Sequence, residues 1–257
     1  MFIDSHCHLD LPCFSEGLDN LLLQLDQNKI TKIIIPSLEA SRWEALQLLS
    51  KKNPSIYYAL GIHPHFVDRF NKGDFTKLDS LILTKDDKCI AIGEIGLDKF
   101  SSVDQSLQES IFIKQLHIAQ KENLPIILHC VKKQGRILEI LKDNKFVNGA
   151  VYHAFSGSLE VANEFIKLGF KLGVGGIITY DSSIKTKETI SKVPIESLVL
   201  ETDAPDMPIY NQETKYNTPL NIITIFNCLA ELREESKSVL VAQIYKNSCS
   251  IFSLNND

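Results

Sequence analysis

Several hallmarks of membrane, secreted and disulfide-stabilised proteins are missing from this 257-residue sequence. No segment approaches the roughly 18 consecutive apolar residues that a membrane-spanning helix requires, so we expect no membrane contact. The stretch from Met1 to His6 lacks the basic and apolar regions of a secretory signal, which favours a cytoplasmic location. The six cysteines form no Cys-x-x-Cys pair, and we expect reduced thiols that mostly serve packing.

An excess of basic charge is also missing. The formal net charge is −5, so the surface as a whole should repel a polyanion, and any contact with nucleic acid must be local. No Gly-, Ser- or Pro-rich linker interrupts the chain, which favours a single domain over residues 1–257. We predict no obligate protein partner.

What the sequence does contain is a regular alternation of short β-rich apolar runs with longer segments of helical period. Strands are predicted at 2–5, 32–36, 56–62, 89–94, 125–129, 149–153, 170–174 and 198–201. Helices are predicted at 18–25, 42–51, 75–83, 105–122, 133–142, 159–168, 183–191, 220–233 and 235–245. Strands separated by single helices pair in parallel, and eight such units predict a TIM-type (β/α)8 barrel in the α/β class. A doubly wound open sheet is the alternative fold.

The histidines are concentrated where predicted strands end. Of the seven, all but His117 lie at or just beyond such an end, whereas His117 falls inside a predicted helix. In a parallel α/β barrel the carboxyl ends of the strands carry the chemistry, so this clustering indicates an active face. Asp203 follows the last predicted strand in the same way, although Thr-Asp-Ala-Pro is also a common start of a turn.

The pair His6 and His8 suggests a metal site, because residues i and i+2 of an extended strand point to the same side. Two exposed loop histidines would be the simpler explanation of that pair alone. Glu94 ends an apolar strand between glycines, where a carboxylate needs a partner to stay ionised. His129 and His153 end neighbouring strands, where a single histidine would more often be a hydrogen-bonded core residue.

Imidazoles and carboxylates without a thiolate cluster suit zinc, magnesium or manganese. There are six candidate ligands, too many for one open site, so we expect two divalent ions that share Glu94.

Seven motifs in order give the sequence a resemblance to the TatD family of metal-dependent deoxyribonucleases, within the amidohydrolase superfamily. They cover essentially the whole chain: FIDSHCHLD at 2–10, GIHPH at 61–65, GEIGLD at 93–98, LPIILH at 124–129, HAFSGS at 153–158, GVGGIITY at 173–180 and LETDAPDMP at 200–208. The resemblance implies a TIM-type barrel and hydrolysis of DNA phosphodiesters, often from the 3′ end. The metal ligands that it implies are His6, His8, Glu94, His129, His153 and Asp203.

The resemblance further implies roles for individual residues. Glu94 would bridge the ions, Asp203 would also serve as base toward the attacking water, and His63 would contact the phosphate or act in proton transfer. The expected substrate is therefore DNA ends or short single strands.

Two departures from the family pattern concern phosphate contacts. Val131 stands where many members carry an arginine, and Lys215 stands where Arg-Asn-x-Pro usually begins. Lysine lacks the bidentate fork of arginine, which weakens phosphate geometry. Lys99, Lys132 and Lys133 are candidates for a local positive field, although each is equally compatible with a solvated loop charge.

Two other functions remain open at this point. One is hydrolysis of a different bond, in a phosphomonoester or a cyclic amide. The other is a non-catalytic metal-binding scaffold, in which the ions serve stability alone.

Overall fold

A computed structural model describes residues 1–255 and places eight strands in one parallel sheet. The strands are β1 (Phe2–Asp4), β2 (Ile30–Pro36), β3 (Ile56–Leu60), β4 (Cys89–Asp98), β5 (Ile126–Val131), β6 (Ala150–Tyr152), β7 (Phe170–Val174) and β8 (Leu198–Leu200). Each strand is hydrogen-bonded to the next along the chain, from β1 to β8. Ser5 N–H donates to the carbonyl of Leu200 at 3.0 Å, which brings the first and last strands together. The fold is thus the predicted single-domain TIM-type barrel, nearly closed, and not a doubly wound open sheet.

Helices follow the strands and cover the outside of the barrel. They are α1 (Leu18–Gln27), α2 (Trp43–Lys52), α3 (Lys72–Leu83), α4 (Gln105–Lys121), α5 (Gln134–Asp143), α6 (Leu159–Lys167), α7 (Ile184–Lys192), α8 (Ile222–Leu232) and α9 (Lys237–Phe252). Their buried faces and the outward-facing strand residues form the larger of two apolar clusters. Among residues 1–255, no helix has the length and apolar character needed to cross a membrane.

The smaller apolar cluster fills the amino-terminal half of the barrel interior. Most strands contribute a side chain to it, for example Ile34, Ile127 and Val151, and alternate residues of the same strands point outward. Phe252 and Leu254, from the end of α9 and the residues after it, close the bottom. Because apolar side chains fill this end of the barrel, the polar groups lie at the opposite end, where the strands have their carboxyl ends.

Three predicted element boundaries were wrong by three residues or more, and several others differ by one or two residues. β4 continues four residues past Glu94 to Asp98. α3 begins at Lys72 instead of residue 75, because Asn71 and Asp74 form a capping box around its first turn. α9 continues to Phe252, well past the predicted end at 245.

Candidate metal centre

A cleft of about 480 Å³ opens at the carboxyl ends of the strands. All but one of the chain's histidines lie in this region, whereas His117 lies on α4 and its Nε2 is 2.8 Å from Asn144 Oδ1. Histidines and acidic side chains form the floor, and apolar side chains form part of the walls. The floor is lined by His8, His63, His65, Glu94, His129, His153 and Asp203, and the apolar walls include Leu38, Phe66, Ile177 and Met207.

The first group of ligand atoms surrounds one oxygen of Glu94. His6 Nε2 lies 3.2 Å from Glu94 Oε2 and 3.3 Å from Asp203 Oδ1. His8 Nε2 lies 3.7 Å from the same Glu94 oxygen and 3.5 Å from Asp203 Oδ1. The two imidazole Nε2 atoms are 3.2 Å apart. Four donor atoms from three strand ends therefore converge on one point.

The second group surrounds the other oxygen of Glu94. His129 Nδ1 lies 2.8 Å from Glu94 Oε1, and His153 Nε2 lies 3.1 Å from it. His63 Nε2 is 3.4 Å from the same oxygen and 3.1 Å from His129 Nδ1. Glu94 thus faces different imidazoles with each of its two oxygens. Its sharing between two ions stays a prediction.

Glu94 is 2% exposed, and its ionisation depends on these neighbours. Burial alone would raise the pKa of its carboxyl, but the facing imidazoles of His153, His63 and His6 bring that pKa well below its usual range. Burial would also raise the pKa of Asp203, which His153 and His8 lower. Both carboxylates therefore hold negative charge at the centre of the cleft at neutral pH.

The loop after β8 fixes Asp203. The Asp203 backbone lies in the left-handed region with φ of 58°, and its N–H donates to the carbonyl of His6 at 2.8 Å. The preceding residue, Thr202, donates both its N–H and its hydroxyl to the buried carboxyl of Asp4, at 3.0 and 2.6 Å. These bonds join the ends of β1 and β8 and hold Asp203 against the His6 and His8 pair.

Two carboxylates that lie beside candidate ligand histidines were missed by the sequence-based reasoning. Asp98 Oδ2 accepts from His129 Nε2 at 3.0 Å, and Glu201 Oε1 lies 3.6 Å from His153 Nδ1. Glu201 is fully buried, and Gly173 makes room for it, because a Cβ there would lie 2.2 Å from Glu201 Oε2. Both residues lie within motifs quoted above, GEIGLD and LETDAPDMP, and the signal available was an acidic residue next to a ligand position.

The donor set fits divalent cations. Buried imidazole nitrogens and carboxylate oxygens point at shared positions, with anionic groups to balance the charge, and the described residues form the groups His6–His8–Asp203, His6–Glu94–His153 and His63–Glu94–His129. Each is a set of nitrogen and oxygen ligands of the kind that zinc, manganese and similar ions accept.

The cationic groups around the cleft are few. Among the three candidate lysines, Lys132 lines the cleft and Lys99 and Lys133 are not part of its lining. Val131, at the position where many TatD members carry an arginine, also lines the cleft. Lys215 lies elsewhere, with its Nζ 4.9 Å from the centre of the Tyr216 ring. Of these lysines, Lys132 is therefore the one in position to contact a molecule bound in the cleft.

Comparison with known proteins agrees with this geometry. Residues 3–253 match the family described as TatD related DNase. The chain is 36% identical to the uncharacterised metal-dependent hydrolase YjjV of Escherichia coli K12, with 98% of each protein covered. It is 34% identical to an uncharacterised metal-dependent hydrolase of Haemophilus influenzae, with 98% of this chain and 99% of the relative covered.

Solved structures give the same result. The crystal structure of the E. coli TatD homologue YjjV superposes with a TM-score of 0.95 at 36% identity and covers 99% of this chain and 98% of that one. A TatD family hydrolase from Entamoeba histolytica superposes with a TM-score of 0.87 at 26% identity, covering 98% of this chain and 97% of that one. The chain is a metal-dependent hydrolase that belongs to the TatD family.

Proposed function

We propose that this chain is a deoxyribonuclease that hydrolyses phosphodiester bonds at DNA ends or in short single strands, from the 3′ end, with two divalent ions. The observation that carries the proposal is the division of Glu94 between two ligand groups, since Oε2 faces His6 and His8 and Oε1 faces His129 and His153. A carboxylate in this position suits two neighbouring ions. Zinc, magnesium and manganese all fit the nitrogen and oxygen donors.

When bound, two divalent ions would supply electrophilic activation of a water molecule and of the phosphate oxygens. The first group would comprise His6, His8, Asp203 and one oxygen of Glu94, and the second the other oxygen with His129 and His153. The side chains of the protein hold both sets in place before substrate arrives, because all these residues are buried or nearly so.

Asp203 is the proposed general base. Its carboxylate is held ionised beside the paired imidazoles, as its lowered pKa indicates. It accepts a proton from the attacking water, whose oxygen forms the new bond to phosphorus. The bond to the leaving oxygen breaks, and that oxygen takes up a proton from solvent water to give the alcohol.

His63 is proposed to contact the phosphate as a neutral imidazole, because burial lowers its pKa to about 4. As a neutral ring it can donate one hydrogen bond without adding its own positive charge to that of the proposed ions.

The walls of the cleft support a substrate that is larger than a phosphate. Lys132 lies at the cleft and can neutralise one phosphate charge, while Phe66, Ile177 and Met207 offer apolar surface to a sugar or base. Base contacts of this kind tolerate different sequences, because every base has an apolar face. The family description as DNase supports the same substrate.

The proposal is tested with purified protein, chelator-treated and then supplied with zinc, magnesium or manganese. We expect cleavage of a 3′-labelled single-stranded oligonucleotide and of bis(p-nitrophenyl) phosphate. Asp203→Asn should lower kcat by about 100- to 10,000-fold because the proposed base is lost.

The matched control is Asp206→Asn, a carboxylate that lines the same cleft but is not part of either ligand group. It should keep most of the activity. Cleavage of phosphomonoesters or cyclic amides with none of DNA would contradict the proposal. So would metal binding that raises Tm with no turnover of any ester, which is the behaviour of a scaffold.

A further inference from the structure

Asp98 is a buried carboxylate that lies next to the metal centre without belonging to either ligand group. It is the last residue of β4 and is 5% exposed. One oxygen, Oδ2, lies 3.0 Å from His129 Nε2 and 2.9 Å from His65 Nε2. The other oxygen accepts the N–H of Phe100 at 2.7 Å. Asp98 is thus an acceptor shared by two histidines.

The main chain around Asp98 is fixed as firmly as its side chain. Its N–H donates to Gln108 Oε1 at 2.9 Å, and its carbonyl accepts from Gln105 Nε2 at 2.8 Å, both from α4. Two residues before Asp98, Gly96 adopts a φ of +152°, and a Cβ there would lie 1.8 Å from the carbonyl oxygen of His129. The end of β4 therefore lies tightly against the β5 residue that Asp98 contacts.

The two nitrogens of His129 face different partners. Nε2 points to Asp98, whereas Nδ1 lies 2.8 Å from Glu94 Oε1 and 3.3 Å from His153 Nε2. A carboxylate that accepts from one nitrogen of a neutral imidazole keeps the proton there and leaves the lone pair of the other nitrogen free for an ion.

We propose that Asp98 is a positioning residue that keeps the His129 proton on Nε2 and directs Nδ1 to the ion shared with Glu94 and His153. This role rests on the proposed two-ion centre but not on its substrate. The same oxygen also holds His65, a half-exposed residue of the cleft floor, so one carboxylate fixes both a proposed ligand and a neighbouring imidazole.

A different role for the same cluster is a third ion, since atoms of His65, Asp98 and His129 are close enough to hold one. That arrangement would require His129 to bind ions through both nitrogens and to give up its remaining proton. A hydrogen bond to Asp98 needs only a neutral ring. The geometry therefore favours an acceptor over a third metal ligand.

The first test is a titration of metal-free protein with zinc and with cobalt, followed by calorimetry and by the visible spectrum of bound cobalt. We expect two ions in the wild type, and Asp98→Asn to bind one of them about 10- to 100-fold more weakly with an altered cobalt spectrum. His65→Ala is the matched control, because it removes the other partner of Asp98 Oδ2 and leaves the contact to His129. Its two affinities should stay within about twofold of wild type.

Two results would overturn the role of Asp98 while leaving the two-ion centre intact: wild-type affinities in Asp98→Asn, or an equal loss in His65→Ala. A wild-type protein that binds no divalent ion would instead overturn the centre together with this role.

The second test uses the wild-type chain and does not depend on the folding of a variant. Nitrogen-15 NMR of zinc-loaded protein labelled at histidine reports which ring nitrogen carries a proton, with His129 assigned by comparison with His129→Gln. We expect the His129 proton on Nε2, in a hydrogen bond that slows its exchange. A proton on Nδ1 would overturn the proposal, and so would a ring without any proton, the signature of a third ion.

Discussion

Burial of titratable side chains at the metal centre has consequences that stability measurements can detect. His63 is 7% exposed, and burial lowers its pKa from 6.5 to about 4 despite the favourable charge of Glu94. In the unfolded chain the imidazole takes up a proton near its ordinary pKa, whereas in the folded chain it stays neutral to lower pH. Between these two values the unfolded state binds more protons, so the free energy of unfolding falls as the pH falls from 6.5 to about 4.

Replacing His63 should therefore reduce the acid sensitivity of the metal-free protein. The free energy of unfolding, measured with urea, should fall between pH 6.5 and pH 4 in both proteins. We expect the fall in His63→Gln to be smaller than that in the wild type by roughly 1 to 3 kcal/mol. His117→Gln is the control, because His117 is exposed on α4 and away from the cleft. Parallel pH profiles for the wild type and His63→Gln would contradict a depressed pKa.

At the scale of single residues, sequence patterns were sufficient to identify most of the side chains that the structure groups in the candidate metal centre. His6 and His8, Glu94, His129, His153 and Asp203 were selected because they follow apolar strands, and the structure places them around one carboxylate. Their roles as ligands stay predictions. Asp98 and Glu201 were not selected, since an acidic residue at a strand end does not by itself indicate a buried contact. Only the fold shows that each is buried against a histidine.

At the scale of elements, strand and helix centres follow from periodicity, but several ends do not. The last helix shows why: beyond the predicted end at residue 245, the apolar pattern of α9 is interrupted by the polar residues Asn247 and Ser248. Both residues are buried. Asn247 Nδ2 donates to the carbonyls of Ile195 and Leu198, at 2.7 and 2.8 Å. A polar side chain that is satisfied by tertiary contacts continues a helix in a way that the sequence pattern does not indicate.

One buried carboxyl adds side-chain contacts to the backbone bonds that close the barrel between β1 and β8. Asp4 is fully buried, burial raises its pKa to about 8, and its oxygens accept from Thr202 N–H, the Thr202 hydroxyl and His6 N–H. Thr202→Val keeps the side-chain shape but removes the hydroxyl donor, which leaves a buried oxygen short of one partner.

We expect Thr202→Val to lower the free energy of unfolding by about 1 to 3 kcal/mol in urea titrations at pH 7. Thr31→Val is the matched control on the neighbouring strand β2, where the hydroxyl lies 3.4 Å from the carbonyl oxygen of Phe2. Its cost should stay below about 0.5 kcal/mol. Equal effects of the two substitutions would show that closure does not depend on the Asp4 contact.

On the scale of the whole molecule, the protein and its proposed substrate, DNA, both carry a negative net charge. The formal net charge of −5 repels DNA at long range, and part of the negative charge, from Glu94 and Asp203, lies at the floor of the cleft. Binding of the proposed DNA substrate would therefore depend on the ions and on a cationic side chain close to the phosphate. Lys132, exposed at the end of β5 and lining the cleft, is placed to supply it.

Lys132→Ala should accordingly lower kcat/KM for a single-stranded oligonucleotide by roughly two- to tenfold at low salt, through a higher KM. The slope of log kcat/KM against log salt concentration should become shallower by about 0.7, the value for one phosphate contact on a single strand.

Lys99→Ala is the matched control, because Lys99 is exposed just beyond β4 but does not line the cleft. The salt slope of this variant should match that of the wild type. If both variants flatten the slope equally, several loop lysines attract the strand non-specifically, and the proposed phosphate contact at Lys132 is wrong. If neither does, the substrate phosphate lies elsewhere in the cleft.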